Sequence, residues 1–255
     1  MITCLLLLLP AFLFSQSPLL GIPDARARAA GGTGLAEDGL RALWRNPAGL
    51  AGSGALRAGV NYEQRFAVAE LGIASAGVTW RGLGLQLASL TFDGYAEQRL
   101  GLAYGRALGI RSRIGAGLGY LSRQFPGFPG RGQVTWNVGG QHDFSEALTV
   151  GATVTYAGAL LAAAGVRYRI NPSVYFAVEG GIDASGRADY RFGTTYLPHE
   201  AVAVYLGGSP SRREITLGAG YRLTEGLRAT VAVAVHERLG VSPLIGLVFA
   251  PSARE

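Results

Sequence analysis

The sequence predicts an all-β chain: a transmembrane, antiparallel up-and-down β-barrel of about fourteen strands, preceded by a short N-terminal cap or plug. Three observations predict it. Beyond residue 55, apolar residues recur at every second position rather than every 3.6. The positions between them are Gly, Ala, Thr and Ser with an occasional Arg, not the charged residues of a solvated face. Only 16% of the 255 residues are charged, against about 25% in an ordinary soluble domain.

Composition removes several function classes. Half the chain is hydrophobic (49%), so it is not a disordered polymer. Its 39 glycines do not fall at every third position, which excludes a collagen-like helix. A single cysteine, Cys4, excludes a disulfide scaffold and a Cys-based zinc site. The three histidines, His142, His199 and His236, are too far apart in sequence to make a local ligand pair, so neither metal nor cofactor is expected. The net charge of +6 rests on arginine alone. These arginines are spread from Arg26 to Arg254 rather than gathered on one element, so nucleic acid is not an expected partner.

The elements follow in order. The apolar run from Cys4 to Phe14 is too short to cross a hydrocarbon layer, which takes about 20 helical residues. It reads as a secretory leader, residues 1–15, cleaved near Ser15 and Gln16. Residues 16–54 do not alternate and read as a cap or plug that packs on the barrel, 55–250 as the barrel, and 251–255 as a tail. Export and a barrel together predict the outer membrane of a Gram-negative-type envelope, with its lipids as partners.

In the plug, Gly31-Gly-Thr-Gly34 lacks the strand and the Gly-Lys-Ser/Thr of a phosphate loop. Asp38 is expected to cap a helix over Gly39–Trp44, which must stop before Asn46-Pro47. Trp44 and Leu50 would anchor the compact turn that follows. The candidate plug residues are therefore Asp38, Trp44, Asn46, Pro47 and Ala48.

Within the barrel, Leu100, Leu102 and Tyr104 oppose Arg99, Gly101 and Gly105, and Ile114, Ala116, Leu118 and Tyr120 oppose Arg113, Gly115 and Gly117. Val150, Ala152, Val154 and Tyr156 likewise oppose Thr149, Gly151, Thr153 and Thr155. Segments recur near the 9–11 residues of a tilted membrane strand, and such a sheet must close to pair its backbone in lipid. Fourteen segments run from 55–66 to 241–250, returning both barrel ends to the periplasmic side; twelve result if those between 187 and 208 merge. Tyr62, Trp80, Tyr95, Tyr104, Tyr120, Tyr156 and Tyr221, near segment ends, suit an interfacial girdle.

One segment breaks parity: Leu71 and Ile73 share a face, but Val78 and Trp80 lie on the other. A bulge near Ser75–Gly77 would reconcile them, either as an accommodation of twist or as a wall kink at Gly77 that opens a sideways exit. Inward parity also collects Arg99, Arg113, Arg167, Arg169, Arg222 and Arg228. They would hold a carboxylate head group or pair with Glu37 and Asp38 of the plug. The apolar stretch Ala157–Ala164 is either a ligand or partner contact or the junction of two lipid-facing strands. No Gly-x-Ser-x-Gly elbow occurs, and His236 and Glu179 read as lumen lining rather than as part of a triad, so no enzymatic activity is expected.

The plug residues also carry a resemblance. Ala27-Arg-Ala-Ala-Gly-Gly-Thr-Gly-Leu-Ala-Glu-Asp38 followed by Ala42-Leu-Trp-Arg-Asn-Pro-Ala-Gly-Leu-Ala51 resembles the N-terminal motif of the FadL-like outer-membrane barrels. Leu239-Gly-Val-Ser-Pro243 is similar to the PorV/PorQ-like branch associated with type IX secretion. The resemblance implies a fourteen-strand barrel with its N-terminal stretch tucked into the lumen. It further implies binding or passive transport of hydrophobic small molecules such as fatty acids. The PorV/PorQ-like branch instead implies a non-transporting subunit or docking platform of a secretion or surface complex. The chain departs from the pattern in having little room for long capture loops and in ending on Phe249-Ala-Pro-Ser-Ala-Arg-Glu255.

Overall fold

A computed structural model describes residues 17, 19, 24–182 and 186–251. The expected leader and all but Pro251 of the expected tail lie outside the described residues.

The alternating segments form fourteen antiparallel strands. They are β1 (Arg57–Gln64), β2 (Gly72–Trp80), β3 (Leu83–Phe92), β4 (Tyr95–Ala107), β5 (Ser112–Gln124), β6 (Arg131–Asp143) and β7 (Leu148–Tyr156). Then come β8 (Leu160–Asn171), β9 (Val174–Ile182), β10 (Ala188–His199), β11 (Val202–Ser209), β12 (Glu214–Arg222), β13 (Leu227–His236) and β14 (Gly240–Phe249). Each pairs with its sequence neighbours, and β1 closes the cylinder against β14, with Ala58 opposite Phe249. Both chain ends of the barrel thus lie at one rim, called here the terminal end; the opposite rim is the loop end. The segments between 187 and 208 stay separate as β10 and β11.

The period-two pattern sorts side chains as expected. In β4, Leu100, Leu102 and Tyr104 are 49%, 61% and 50% exposed, whereas Glu97 and Arg99 on the other face are buried. Closure leaves no free sheet edge, which is why a cylinder rather than an open sheet satisfies a chain whose outer face is apolar. Outward aromatics gather toward both rims: Trp80, Tyr104, Tyr168, Tyr221 and Phe249 toward the terminal end, and Tyr62, Tyr120, Trp136 and Tyr156 toward the loop end. Trp136 and Tyr156 stack across β6 and β7 with centroids 5.8 Å apart.

Three expectations are corrected. Tyr95 does not join the girdle: it faces inward, donates a hydrogen bond to Glu97 and packs against the cluster of Leu19, Ile73, Ala88, Leu90 and Leu121. No bulge interrupts β2, because Gly77 stands in unbroken register with Gly59 on β1 and Gln86 on β3. Ile73 simply points inward, where Leu19 gives it an apolar partner, and Val78 and Trp80 point outward. The register shifts sit elsewhere, near Arg169–Asn171 between β8 and β9 and near Tyr196–His199 between β10 and β11. The first hairpin is also longer-turned than expected: residues 65–71 include Phe66 and Ala67 at positive φ (55° and 54°), and Phe66 N–H donates to Ser242 Oγ of β14.

Candidate functional site: the stoppered lumen

The plug is two short helices and several tight turns wound around the inside of the wall. Helix α1 (Ala25–Ala29) begins at Asp24, whose carboxylate accepts from Ala27 N–H at 2.7 Å. Its alanines Ala25, Ala27 and Ala29 are buried, and Ala29 packs with Ala203, Tyr205, Ala232 and Leu244 of β11, β13 and β14. A 3-10 turn over Gly39–Arg41 leads into α2 (Ala42–Arg45), and Asn46 starts a second 3-10 turn over Pro47–Gly52. Leu40, Leu43 and Leu50 form an apolar cluster with Ala103 and Val248 of the wall.

Such close seating needs wall positions without side chains. A methyl added at Gly105 or Gly115 would collide with the Pro47 carbonyl group, at Gly139 with the Asn46 amide, and at Gly151 with the Leu35 carbonyl. At Gly193 and Gly207 it would strike the backbone of Ala30 and Gly31. Gly77 belongs to this set: its missing side chain makes room for Leu43, Leu40 and Trp44, so it is a seat for the plug rather than a kink in the wall. The high glycine content is thereby explained at the inner face.

Polar contacts lock the seat. Asn46 is fully buried; its Oδ1 accepts from Ala48 N–H, and its Nδ2 donates to Leu35 O at 2.8 Å and Gly140 O at 3.0 Å. Gln141 on β6 donates to the carbonyls of Leu35 and Glu37. Glu179 on β9 accepts from the backbone N–H groups of Gly34 and Leu35 and pairs with Arg45 at 2.6 Å. Thr216 on β12 donates to Ala29 O and accepts from Gly31 N–H. Arg28 reaches Glu214 and Glu63. Burial alone would lower the Arg28 pKa, but its hydrogen bond and charge contacts with these two glutamates outweigh it and raise the value.

Asp38 lies in the plug but makes no helix-capping bond. It pairs instead with Arg113, which also grips Asp143 at 2.8 Å. Burial, the largest influence, raises the Asp38 carboxyl above its ordinary value against the pull of Arg113 and Arg167. Trp44 is buried beside Gly77, and Pro47 and Ala48 press on Gly115.

The six inward arginines divide into three groups. Arg113 and Arg167 bind the plug acids Asp38 and Glu37. Arg169, Arg222 and Arg228 sit near the terminal rim, reaching Glu146 O, the Glu200 carboxylate and Glu200 O respectively. Arg99 alone of the six lines a cavity of about 390 Å³ that remains between the plug and the loop end.

That cavity has two characters. Trp44, Leu161 and Ala163 give it apolar surface, while Arg45, Arg65, Arg191 and Arg212 join Arg99 in its polar lining together with the acids Glu179 and Asp189. Arg99 and Arg191 are the buried arginines among the described residues. Arg191 is paired with Asp189 at 2.6 Å. Arg99 has no carboxylate within 4 Å among the described residues; it donates only to Leu19 O at 2.9 Å, and its Nε has no acceptor. Burying a cation is costly unless it is paired, so Arg99 has unused capacity for an anion. Leu161 and Ala163 place the inner half of the Ala157–Ala164 stretch in this cavity, and Ala162 and Ala164 belong to an outer-face groove. His236 is remote from this chemistry in role: its ring nitrogen accepts from the N–H groups of Arg238 and Leu239 in the β13–β14 turn, while Glu179 is committed to the plug.

The residues missed by pattern reading were Glu179, Gln141 and Thr216 as plug ligands and Arg191 as cavity lining. Their inward parity was legible; their partners, far away in sequence, were not.

No family model and no curated protein matches the chain. Solved structures do. The toluene transporter TbuX of Ralstonia pickettii aligns with TM-score 0.70 and 11% identity over 92% of this chain and 100% of that one. The toluene transporter TodX of Pseudomonas putida aligns at 0.64 and 11%, over 91% of this chain and 98% of that one. A Pseudomonas aeruginosa FadL homologue gives 0.53 and 12%, over 89% and 96%. At such identities the likeness is one of architecture: a closed, antiparallel, fourteen-strand barrel.

Proposed function

We propose that the chain is an outer-membrane barrel, exported by its leader, that binds or passively transports a hydrophobic small molecule carrying an acidic group, such as a fatty acid. The observation that carries this reading is the cavity above the plug, where apolar Trp44, Leu161 and Ala163 face the buried, carboxylate-free Arg99. A ligand with an apolar body and one anionic end satisfies both halves at once. The fold likeness to toluene transporters and a FadL homologue supports the hydrophobic part of the reading. The apolar outer face and the aromatics toward both rims support the membrane location.

The plug fills the lumen by direct backbone contact, so passage requires it to shift or the ligand to leave by another way. A free water path is not part of this reading. Uptake of a fluorescent fatty acid by proteoliposomes tests it. The rate should exceed that of empty liposomes, and Arg99→Gln should weaken binding roughly 10- to 100-fold, the scale of one charge-assisted contact. Uptake equal to empty liposomes would remove the transport reading. Purification of the barrel within a stable complex, with an empty lumen, would favour the docking platform instead.

A further inference from the structure

The outer wall over β2–β5 carries a notch. Its cause is one small residue in a transverse row of large ones: Trp80, Leu83, Tyr104, Ala116 and Val138 are register partners across β2 to β6. Ala116 leaves a groove of about 490 Å³ bounded by Val78, Leu85, Leu102 and Leu118, all outward-facing and apolar. Chain-wide apolar exposure belongs to any membrane barrel; a concave apolar site is more particular.

Two arginines stand at the terminal rim beside the groove, one residue beyond Trp80 and two beyond Tyr104. Arg81, in the β2–β3 turn at φ 47°, lays its guanidinium over the Trp80 ring at 5.0 Å. Gly105 N–H donates to Gly82 O, which sets the Arg81 turn beside Arg106 at the end of β4. Both arginines are exposed, and neither has a carboxylate within 4 Å among the described residues. Arg113 at the same rim points inward and is spent on Asp38 and Asp143, while Arg111 in the β4–β5 turn adds a further exposed positive charge beyond Arg106.

The geometry points to a binding site for a net-anionic glycerophospholipid: an acyl chain lies in the Ala116 notch, and the headgroup phosphate bridges Arg81 and Arg106. Charge complementarity decides the occupant. Two unneutralised guanidinium groups prefer a lipid with net charge over a zwitterionic one, and an aromatic pair at the same depth, Trp80 and Tyr104, marks the polar–apolar boundary. The inference rests on the reading of the barrel as membrane-embedded.

The test uses the full chain in detergent micelles, with native mass spectrometry counting retained phosphatidylglycerol and phosphatidylcholine of identical acyl chains. Wild-type protein should prefer phosphatidylglycerol by roughly fivefold for each arginine. The double variant Arg81→Gln/Arg106→Gln should lose that preference, and Ala116→Phe should lower retention of both lipids. Arg238→Gln, at the loop end, should change neither. Equal retention of the two lipids by wild type, a preference surviving in the double variant, or unchanged retention in Ala116→Phe would each overturn the site. A heat-modifiability gel run alongside separates the two readings: a barrel that needs detergent but shows no lipid preference sinks only this site. A chain folded and soluble without detergent sinks the membrane reading beneath it.

Discussion

Asn46 shows how much one side chain can hold. With no exposure, it uses its acceptor on the turn it starts and both donors on carbonyls of the plug and of β6. Asn46→Ala would orphan buried backbone groups at about 1–3 kcal/mol each. Because the strands remain paired, the cost should appear in the plug. Planar-bilayer recordings are expected to show opening events in the variant that the wild type lacks. The sequence marked Asn46 through the proline after it. It also marked Asp38 twice, as a cap, which the structure does not show, and as a partner of the inward arginines, which Arg113, 75 residues away, supplies. Inward parity and opposite charge made that pairing legible, whereas the backbone groups held by Glu179, Gln141 and Thr216 carry no sign in the sequence.

Elements differ in legibility for a reason of length. Strands of 8–13 residues repeat the two-residue period often enough to declare it, and all fourteen were readable. Helix α1 has five residues, Ala-Arg-Ala-Arg-Ala, and these alternate like a strand although they coil. Fewer than two helical turns cannot display a period of 3.6. At this scale the testable link is between wall and plug. Gly105→Val would drive a branched side chain into Pro47 and Leu50. The expected product is a barrel that still migrates as folded on a heat-modifiability gel but conducts steadily in a planar bilayer. A variant as silent as wild type would mean the plug yields without unseating.

For the whole molecule, the decisive division is between outside and inside. Leu102 lies mid-strand on the outer face, 61% exposed, with Gly101 and Ala103 turned inward. Leu102→Arg is expected to destabilise folding into lipid bilayers by about 2–4 kcal/mol, measured by urea titration in vesicles. The same exchange on a soluble protein's exposed leucine would cost little. Closure, strand number and facing were therefore written in the sequence because they follow from periodicity and backbone pairing alone. The Leu239–Pro243 run, read as a sign of the PorV/PorQ-like branch, forms the final loop-end turn and the first residues of β14. A ligand's identity is of another kind, since it depends on what the arginines around Arg99 do not already hold.

The plug precedes β1 in the chain, yet its contacts run round the wall from β1 and β2 to β14. Translation therefore delivers the cork before any stave of the cask exists. Only residues 53–56 join it to β1 at the terminal rim, so the cork is tethered at the mouth of the cylinder it fills. So short a leash keeps the cork at high effective concentration over its seats, and a displaced plug should reseat rather than drift away.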